Sequence, residues 1–170
     1  MVGSTARTAY LWGMIRIEQY LPNEEATTAI GEKLGRILRR GDIVCLTGSL
    51  GAGKTTLARA AIAAATGATE APSPTFALVE THPAEDFTIY HFDLYRLETA
   101  NDVWELGLED ALEDEICLIE WPEKIEQLLP ENLLVIALSA ENTGRKISII
   151  ANEEWSARLP FLPSHSLGIV

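Results

Sequence analysis

Eight consecutive residues of the sequence match the pattern G-x-x-x-x-G-K-[ST] without a gap. They are Gly48, Ser49, Leu50, Gly51, Ala52, Gly53, Lys54 and Thr55. Glycines let such a loop fold into a concave nest of backbone N–H donors around phosphate oxygens, and a helix that follows adds its positive N-terminal end. Lys54 can then reach the β- and γ-phosphates, and the Thr55 hydroxyl is a hard oxygen ligand suited to Mg²⁺. The motif predicts a nucleotide-binding site.

Two acidic residues, Asp93 and Glu120, directly follow short apolar stretches. If these stretches are parallel strands, both side chains reach the carboxyl edge of the sheet, where ligands bind in open α/β folds. A P-loop enzyme needs an acid beyond the loop to hold Mg²⁺ or to orient the attacking water. Position in the sequence favours Asp93 as the metal-side acid but does not settle the order of the two. The alternative for each is an acid that caps the turn after a strand.

The segment Ser73-Pro74-Thr75-Phe76 lies between the predicted loop helix and the next strand. Its position suits a loop that senses the γ-phosphate, with Thr75 as a hydroxyl donor, but a proline-containing turn explains the same residues equally well. His91 lies in the middle of an apolar stretch, which is more typical of a core histidine than of a catalytic base. Trp121 follows Glu120 and either stacks near the nucleotide or packs in the core, which is the commoner role for a tryptophan.

The spacing of apolar residues predicts the elements that must position these side chains. The predicted helices cover residues 22–41 with Asn23 as N-cap, residues 54–66 ending at Gly67, and a short segment opened by Thr99. The predicted strands cover residues 43–47, 75–81, 87–92, 116–119, 133–138 and 146–150. A strand before the loop and a helix after it are the setting that the motif requires, which argues against a chance glycine-rich turn. We predict a single P-loop NTPase domain of the α/β class, with a mixed, mostly parallel sheet, helices on both faces and an antiparallel hairpin.

Length, charge and cysteine content narrow the possible functions. At 170 residues and a net charge of −12, the chain has the size of one domain and is too acidic to bind nucleic acid through charge alone. If RNA is its target, another protein must bring the two together. Both cysteines lie in apolar stretches, no apolar run approaches about 18 residues, and the first residues do not resemble a signal peptide. We therefore expect a cytoplasmic protein without membrane contact.

Four segments, taken in order, resemble the TsaE family, the bacterial ATPases of tRNA threonylcarbamoyladenosine synthesis. They are the loop extended by Thr56, Ser73-Pro74-Thr75, Tyr90-His91-Phe92-Asp93-Leu94-Tyr95-Arg96 and Ile119-Glu120-Trp121. The loop alone is generic, whereas the His-Phe-Asp-Leu-Tyr-Arg segment and the Glu-Trp pair are specific to that family. The resemblance runs from about Leu21 to about Ile150. It implies a P-loop ATPase domain over residues 21–155, with an N-terminal extension over residues 1–20 and a C-terminal tail over residues 156–170.

The resemblance also implies a role for each residue of the phosphate and metal site. Residues 48–55, together with Thr56, would bind ATP, and Lys54 would act on its phosphates during the reaction. Thr55 and Glu120 would hold Mg²⁺, while Asp93 would position or deprotonate the attacking water. The family pattern thus assigns the order of the two acids that their position left open.

Further residues are assigned by the same resemblance. Thr75 would belong to a switch-like segment that takes part in catalysis, and Glu24, Gly144 and Arg145 would line the adenine side of the site. The family often has aspartate where this chain has Ser49. Because backbone N–H groups form the phosphate cradle, we expect little effect from that difference.

The function that the resemblance implies is that of an accessory ATPase. It would bind ATP, dock on the complex of the proteins TsaB and TsaD, and hydrolyse ATP to reset that complex between rounds. The modification would be N6-threonylcarbamoylation of adenosine 37 in tRNAs that read codons beginning with A, and the chain would contact tRNA only indirectly.

Two other functions are compatible with a P-loop. A small-molecule or nucleoside kinase would have a similar fold, but such enzymes usually need an arginine-bearing lid, and the later half of the chain contains only Arg96, Arg145 and Arg158. A nucleotide-gated binding module with negligible turnover is the second alternative. A GTPase is disfavoured because the sequence contains no Asn-Lys-x-Asp guanine-recognition motif.

Overall fold

Eight strands form one sheet in the computed structural model, which describes residues 14–74, 76–159 and 168–169. The strands are β1 (Ile15–Leu21), β2 (Ile43–Thr47), β3 (Val79–Pro83), β4 (Thr88–Asp93), β5 (Ile116–Glu120), β6 (Leu134–Glu141), β7 (Gly144–Ala151) and β8 (Gly168–Ile169). The α-helices are α1 (Glu24–Ile37), α2 (Lys54–Thr66), α3 (Leu108–Asp114) and α4 (Glu153–Ser156). Two 3-10 helices cover Ala100–Leu106 and Pro122–Leu128.

The sheet is mixed, with a parallel centre and antiparallel margins. Its strand order is β3-β4-β5-β2-β6-β7-β1-β8. The pairings β4–β5, β5–β2 and β2–β6 are parallel, and the other four are antiparallel. The parallel part is therefore smaller than predicted, because β6 and β7 are joined by a two-residue turn, which can connect only antiparallel strands.

Helices cover both faces of the sheet, as predicted. Residues of β2 alternate between the two faces: Val44 and Leu46 pack in the cluster that includes α1 and α2, whereas Ile43 and Cys45 pack in the cluster that includes α3. Strand β5 is buried along its whole length. Continuous apolar stretches of this kind are what a strand covered on both faces requires.

Helices α1 and α2 lie against each other next to the phosphate loop. The Asn23 side chain caps α1 by accepting a hydrogen bond from the backbone N–H of Ala26 at 2.9 Å, as predicted. A Cβ atom on Gly31 or Gly35 would collide with a backbone carbonyl of α2, so these glycines permit the close contact. Helix α1 ends at Ile37, four residues before the predicted end, whereas α2 has its predicted bounds.

The predicted hairpin is present as β3 and β4, but β3 begins four residues later than predicted. Leu78 has a φ of 59°, which interrupts the extended backbone, and the strand starts at the next residue. Thr75, with which the predicted strand began, lies outside the described residues. The late strands β6 and β7 pair antiparallel and are longer than predicted.

The sheet extends beyond the domain boundaries that the sequence suggested. Strand β1 pairs with β7 from Ile15 to Leu21, so residues 15–20, predicted as part of an extension, contribute to the sheet. On the C-terminal side, α4 crosses the predicted boundary at residue 155. Beyond it, the Arg158 guanidinium forms two hydrogen bonds with the Asp42 carboxylate at 2.8 and 2.9 Å, which ties this part of the tail to the domain. Within the described residues, every helix is too short or too polar to cross a membrane.

Candidate functional site

The glycine-rich segment forms a tight loop between the end of β2 and the start of α2. Gly48, Gly51 and Gly53 have positive φ angles of 140°, 76° and 106°, which residues other than glycine rarely adopt. A Cβ atom on Gly48 would also collide with the carbonyl oxygen of Leu138. Leu50 is exposed at the tip of the loop, and Ala52 is buried beneath it. The backbone has the left-handed residues that anion-binding nests require, as the motif predicted.

Lys54, the first residue of α2, is buried and folds back across this loop. Its Nζ donates hydrogen bonds to the carbonyl oxygens of Gly48 at 2.6 Å and Ser49 at 2.9 Å, and lies 4.3 Å from the centre of the Trp121 ring. Burial lowers the pKa of Lys54 below its usual value, and the nearby carboxylates of Glu120 and Asp93 oppose that shift. The Lys54 ammonium group therefore lies directly at the loop, where it can meet the charge of a phosphate.

Thr55 and Glu120, the two predicted metal ligands, are in direct contact. The Thr55 hydroxyl donates a hydrogen bond to Oε1 of Glu120 at 2.7 Å. Glu120 is 1% exposed although it is an acid, so its carboxylate is held at the end of β5 among buried neighbours. A hydroxyl and a carboxylate are hard oxygen ligands of the kind that Mg²⁺ takes, so these two residues fit the ion that the sequence predicted.

Asp93 lies beside Glu120 because β4 and β5 run parallel and end at the same edge of the sheet. The two acids are direct partners in the register of the strands. Burial raises the pKa of the Asp93 carboxyl above its usual value. The backbone N–H of Tyr95, which donates to Oδ1 at 3.2 Å, opposes this shift, and the Glu120 carboxylate adds to it. A carboxylate with a raised pKa accepts a proton more readily than an ordinary aspartate.

Trp121 turns the chain away from the sheet immediately after Glu120. It has a left-handed backbone with a φ of 60°, which is uncommon for a tryptophan. Its ring packs against Tyr95 at 4.9 Å between centroids and faces the Lys54 ammonium on the loop. Trp121 therefore combines packing with a place beside the phosphate loop, and the two roles proposed for it from the sequence are not exclusive.

A pocket of about 200 Å³ lies next to the loop, between the start of α1 and the turn that joins β6 to β7. It is lined by Asn23, Glu24, Thr27, Gly51, Gly53, Thr56, Thr143, Gly144 and Arg145. All the residues predicted to line the adenine side are in this group, together with Thr56. Sequence reasoning missed Asn23, Thr27 and Thr143 as pocket residues. It assigned Asn23 only as a helix cap, and Thr143 lies between the predicted strands 133–138 and 146–150.

Arg145 connects the β6–β7 hairpin to the phosphate loop. Its guanidinium donates to the carbonyl oxygens of Ala52 and Gly51 at 3.1 Å each, and to that of Gly144 at 3.0 Å. These bonds satisfy two carbonyl groups of the loop and one of the hairpin. The residue thus supports the loop as well as lining the pocket, which its position in the sequence did not indicate.

Two further residues singled out from the sequence are Thr75 and His91. Thr75 is outside the described residues, so its role in a switch-like segment stays a prediction; its neighbour Phe76 is 87% exposed. His91 is a fully buried residue of β4, as expected of a core histidine. Its Nε2 lies 3.6 Å from Oε2 of Glu120, a proximity that sequence reasoning missed.

Comparison with known proteins matches the chain to one family over most of its length. The family model described as "Threonylcarbamoyl adenosine biosynthesis protein TsaE" matches residues 21–147. These bounds include the loop, both acids and the turn between β6 and β7 that lines the pocket.

Individual relatives carry the same description. Proteins named "tRNA threonylcarbamoyladenosine biosynthesis protein TsaE" from Rickettsia felis and Bacillus subtilis are 42% and 35% identical to this chain. The Rickettsia alignment covers 86% of this chain and 87% of the relative, and the Bacillus alignment covers 76% and 82%. The crystal structure of YdiB from Bacillus subtilis is similar with a TM-score of 0.71 at 28% identity, covering 87% of this chain and 95% of that one.

Proposed function

This chain belongs to the TsaE family of threonylcarbamoyl adenosine biosynthesis proteins, and we propose that it serves that biosynthesis as a Mg²⁺-dependent ATPase that converts ATP to ADP and phosphate. We propose further that it acts on a complex of TsaB and TsaD. The reaction it supports would be N6-threonylcarbamoylation of adenosine 37 in tRNAs that read codons beginning with A.

The observation that carries the proposal is the arrangement of three side chains at one edge of the sheet. The Thr55 hydroxyl contacts the Glu120 carboxylate, and Asp93 is the register partner of Glu120. A nucleoside triphosphatase needs a hydroxyl beside the phosphate loop to bind the metal, and acids nearby to serve the metal and the attacking water. Here parallel pairing of β4 and β5 brings them together.

Binding of ATP would involve the loop and the pocket beside it. The N–H groups of residues 48–55 and the N-terminal end of α2 would surround the phosphates, with the Lys54 ammonium compensating their negative charge. The base would enter the pocket lined by Glu24, Thr56 and the β6–β7 turn. Arg145 would keep the loop in shape through its bonds to the carbonyl groups of Gly51 and Ala52.

Magnesium would be held by Thr55 and Glu120, whose oxygen atoms already lie together. When bound, the ion would supply positive charge that stabilises the phosphate oxygens during transfer. The remaining chemistry belongs to the chain itself. Asp93 would orient a water molecule for attack on the γ-phosphate and accept its proton at the carboxylate, a role that its raised pKa favours. Thr75 would donate its hydroxyl to the γ-phosphate.

The isolated chain would turn over slowly. A GTPase or ATPase reaches a high rate when an arginine contacts the charge that develops in the transition state. Arg145, the arginine that lines the pocket, is instead held by carbonyl oxygens of the loop and the hairpin. We therefore expect the partner complex to raise the rate. The net charge of −12 supports action on a protein partner rather than direct binding of tRNA.

Product analysis with γ-labelled ATP tests the proposal against the kinase alternative. The chain is incubated with Mg²⁺ and ATP, with and without purified TsaB, TsaD and tRNA, and the labelled products are separated. We expect free phosphate, released faster with the partner proteins, and modification of tRNA over many rounds only when this chain is present. A labelled small molecule would support a kinase instead, and modification that continues without the chain would contradict the proposed role.

A further inference from the structure

His91 is a buried polar residue whose ring has no hydrogen bond in the described part of the chain. Its side chain is 0% exposed, and both ring nitrogens lack a partner among those residues. Buried polar groups in proteins are nearly always hydrogen-bonded, because leaving one unpaired costs on the order of 1–3 kcal/mol. A leucine at this position would avoid that cost. An unpaired histidine in the core therefore requires a reason other than packing.

The sheet places His91 and Glu120 on the same face. His91 is the register partner of Leu118 in β5, and Glu120 follows two residues later, so the two side chains are diagonal neighbours. Leu118 and Ile89 of this face pack in the cluster that contains α2, the helix that also supplies Thr55. His91 is thus directed toward the inner side of the site, behind the acid rather than at its opening.

The two oxygens of the Glu120 carboxylate have different neighbours. Oε1 accepts the hydrogen bond from Thr55 at 2.7 Å, whereas Oε2 lies 3.6 Å from Nε2 of His91. The second distance is a few tenths of an ångström longer than a hydrogen bond allows. A small rotation of the carboxylate would close it. The contact is therefore available to Glu120 whenever Thr55 gives up its hydrogen bond to that residue.

We propose that His91 is a positioning residue for Glu120: its Nε2–H donates to Oε2 and fixes the carboxylate when the Thr55 hydroxyl turns to a metal ion. This inference rests on the proposed function, since it assigns Glu120 and Thr55 to Mg²⁺. Side chains that hold a ligand from behind commonly affect metal affinity by about 10- to 100-fold when replaced. His91 would not touch the nucleotide, so its replacement should change only the part of the nucleotide affinity that Mg²⁺ contributes.

The test compares nucleotide affinity with and without Mg²⁺ by titration calorimetry, using a non-hydrolysable ATP analogue so that turnover plays no part. The variants are His91→Leu, which removes both nitrogens, His91→Asn, whose amide nitrogen matches Nδ1, and His91→Gln, whose amide nitrogen reaches the place of Nε2. His82→Leu is the matched control, since His82 lies on β3 with its ring centre 6.5 Å from that of His91. Thermal melting of each variant establishes that it is folded.

The Mg²⁺ gain is the factor by which Mg²⁺ raises the affinity for the analogue. We expect this gain to be about 10- to 100-fold smaller in His91→Leu and His91→Asn than in the wild type. The affinity measured without Mg²⁺ should stay within about twofold of the wild-type value. His91→Gln and His82→Leu should keep the wild-type gain within threefold. If His91→Leu does not fold, the comparison of Asn with Gln decides the matter. A full Mg²⁺ gain in His91→Asn, or an equal loss in Asn and Gln, would overturn the positioning role while leaving the proposed function intact. A wild-type chain without any Mg²⁺ gain would overturn both.

Discussion

The hydroxyl of Thr55 donates a hydrogen bond to the carboxylate of Glu120 at 2.7 Å, although the two residues are 65 positions apart in the sequence. The first residue belongs to the helix after the phosphate loop, and the second ends a neighbouring parallel strand. The contact joins the part of the chain that would bind phosphate to the part that would bind metal. Asp93, the register partner of Glu120, places a second acid beside it.

Replacing Asp93 with asparagine tests its role as proton acceptor. The amide has nearly the same shape but cannot take the proton, so we expect ATP affinity within threefold of wild type and a hydrolysis rate lowered by about 10²- to 10⁴-fold. The measurement combines a steady-state phosphate assay with equilibrium binding of ATP. Asp86→Asn, in the turn between β3 and β4, is the control. Normal hydrolysis in Asp93→Asn would remove this residue from the mechanism.

If Asp93 accepts the proton, its raised pKa predicts the sign of the pH dependence of ATP hydrolysis. The acid must be ionised to accept a proton, so kcat/KM should fall as the pH drops through the pKa of Asp93. Because that pKa is raised, the fall should occur at a higher pH than the ordinary aspartate pKa of about 3.9. The profile is measured at constant ionic strength and saturating Mg²⁺. The residual activity of Asp93→Asn, followed over the same range, separates this effect from protonation of ATP. An acid limb that is the same in both proteins would contradict the assignment.

The same shift predicts an effect on stability. Because the pKa of Asp93 is higher in the folded chain than its usual value, the ionised carboxylate at neutral pH lowers the stability of the fold, and this cost is absent below both pKa values. Asp93→Asn should therefore melt at the same or a higher temperature than wild type at pH 7. Differential scanning calorimetry at pH 7 provides the measurement. A clear drop in melting temperature would show that the carboxylate stabilises the fold instead.

Removal of the Arg145 guanidinium should loosen the phosphate loop. Arg145→Met loses the hydrogen bonds to Ala52, Gly51 and Gly144, and we expect about 1 kcal/mol lower stability and about tenfold weaker binding of ADP. Arg145→Lys should not restore affinity, because an ammonium cannot reproduce the planar fork. Urea unfolding and calorimetric titration measure the two effects. Lys146→Met, on the next residue of β7, is the control, and equal affinities in all three variants would contradict a loop-supporting role.

The pair formed by Arg158 and Asp42 should stabilise the fold without affecting activity. Both side chains are about nine-tenths buried, and Arg158→Met leaves the Asp42 carboxylate buried without its partner. We expect a loss of about 3 kcal/mol of unfolding free energy in urea. The exposed pair of Lys146 and Glu18 provides a contrast, since Lys146→Met should cost less than about 1 kcal/mol. Similar losses for the two pairs would contradict the difference in burial.

The sequence predicted the loop well because its signal is local. Residues 48–55 are contiguous, and the strand before them and the helix after them have clear patterns. The two acids could also be found, since each directly follows an apolar strand. Their order could not be derived from position, because both side chains reach the same sheet edge. The structure distinguishes Glu120 by its contact with Thr55 and by its deeper burial.

Features that depend on distant parts of the chain were harder to predict. Strand β1 contains an alternating segment, but its place in the sheet depends on pairing with β7, more than a hundred residues later. The antiparallel margins of the sheet, the loop contacts of Arg145 and the left-handed backbone of Trp121 arise in the same way. The alternating residues of β1 and the short turn between β6 and β7 are local signals, but tertiary packing decides which strand each one pairs with and which side chains meet.

The proposed nucleotide and metal site can be observed in a crystal structure of the chain with a non-hydrolysable ATP analogue and Mn²⁺ in place of Mg²⁺, since Mn²⁺ is visible by anomalous scattering. We expect the triphosphate inside the loop formed by residues 48–55. We expect the anomalous peak beside the Thr55 hydroxyl and the Glu120 carboxylate, with Asp93 facing the γ-phosphate. A loop that stays empty at saturating analogue, or a metal bound away from Thr55 and Glu120, would contradict the proposed site.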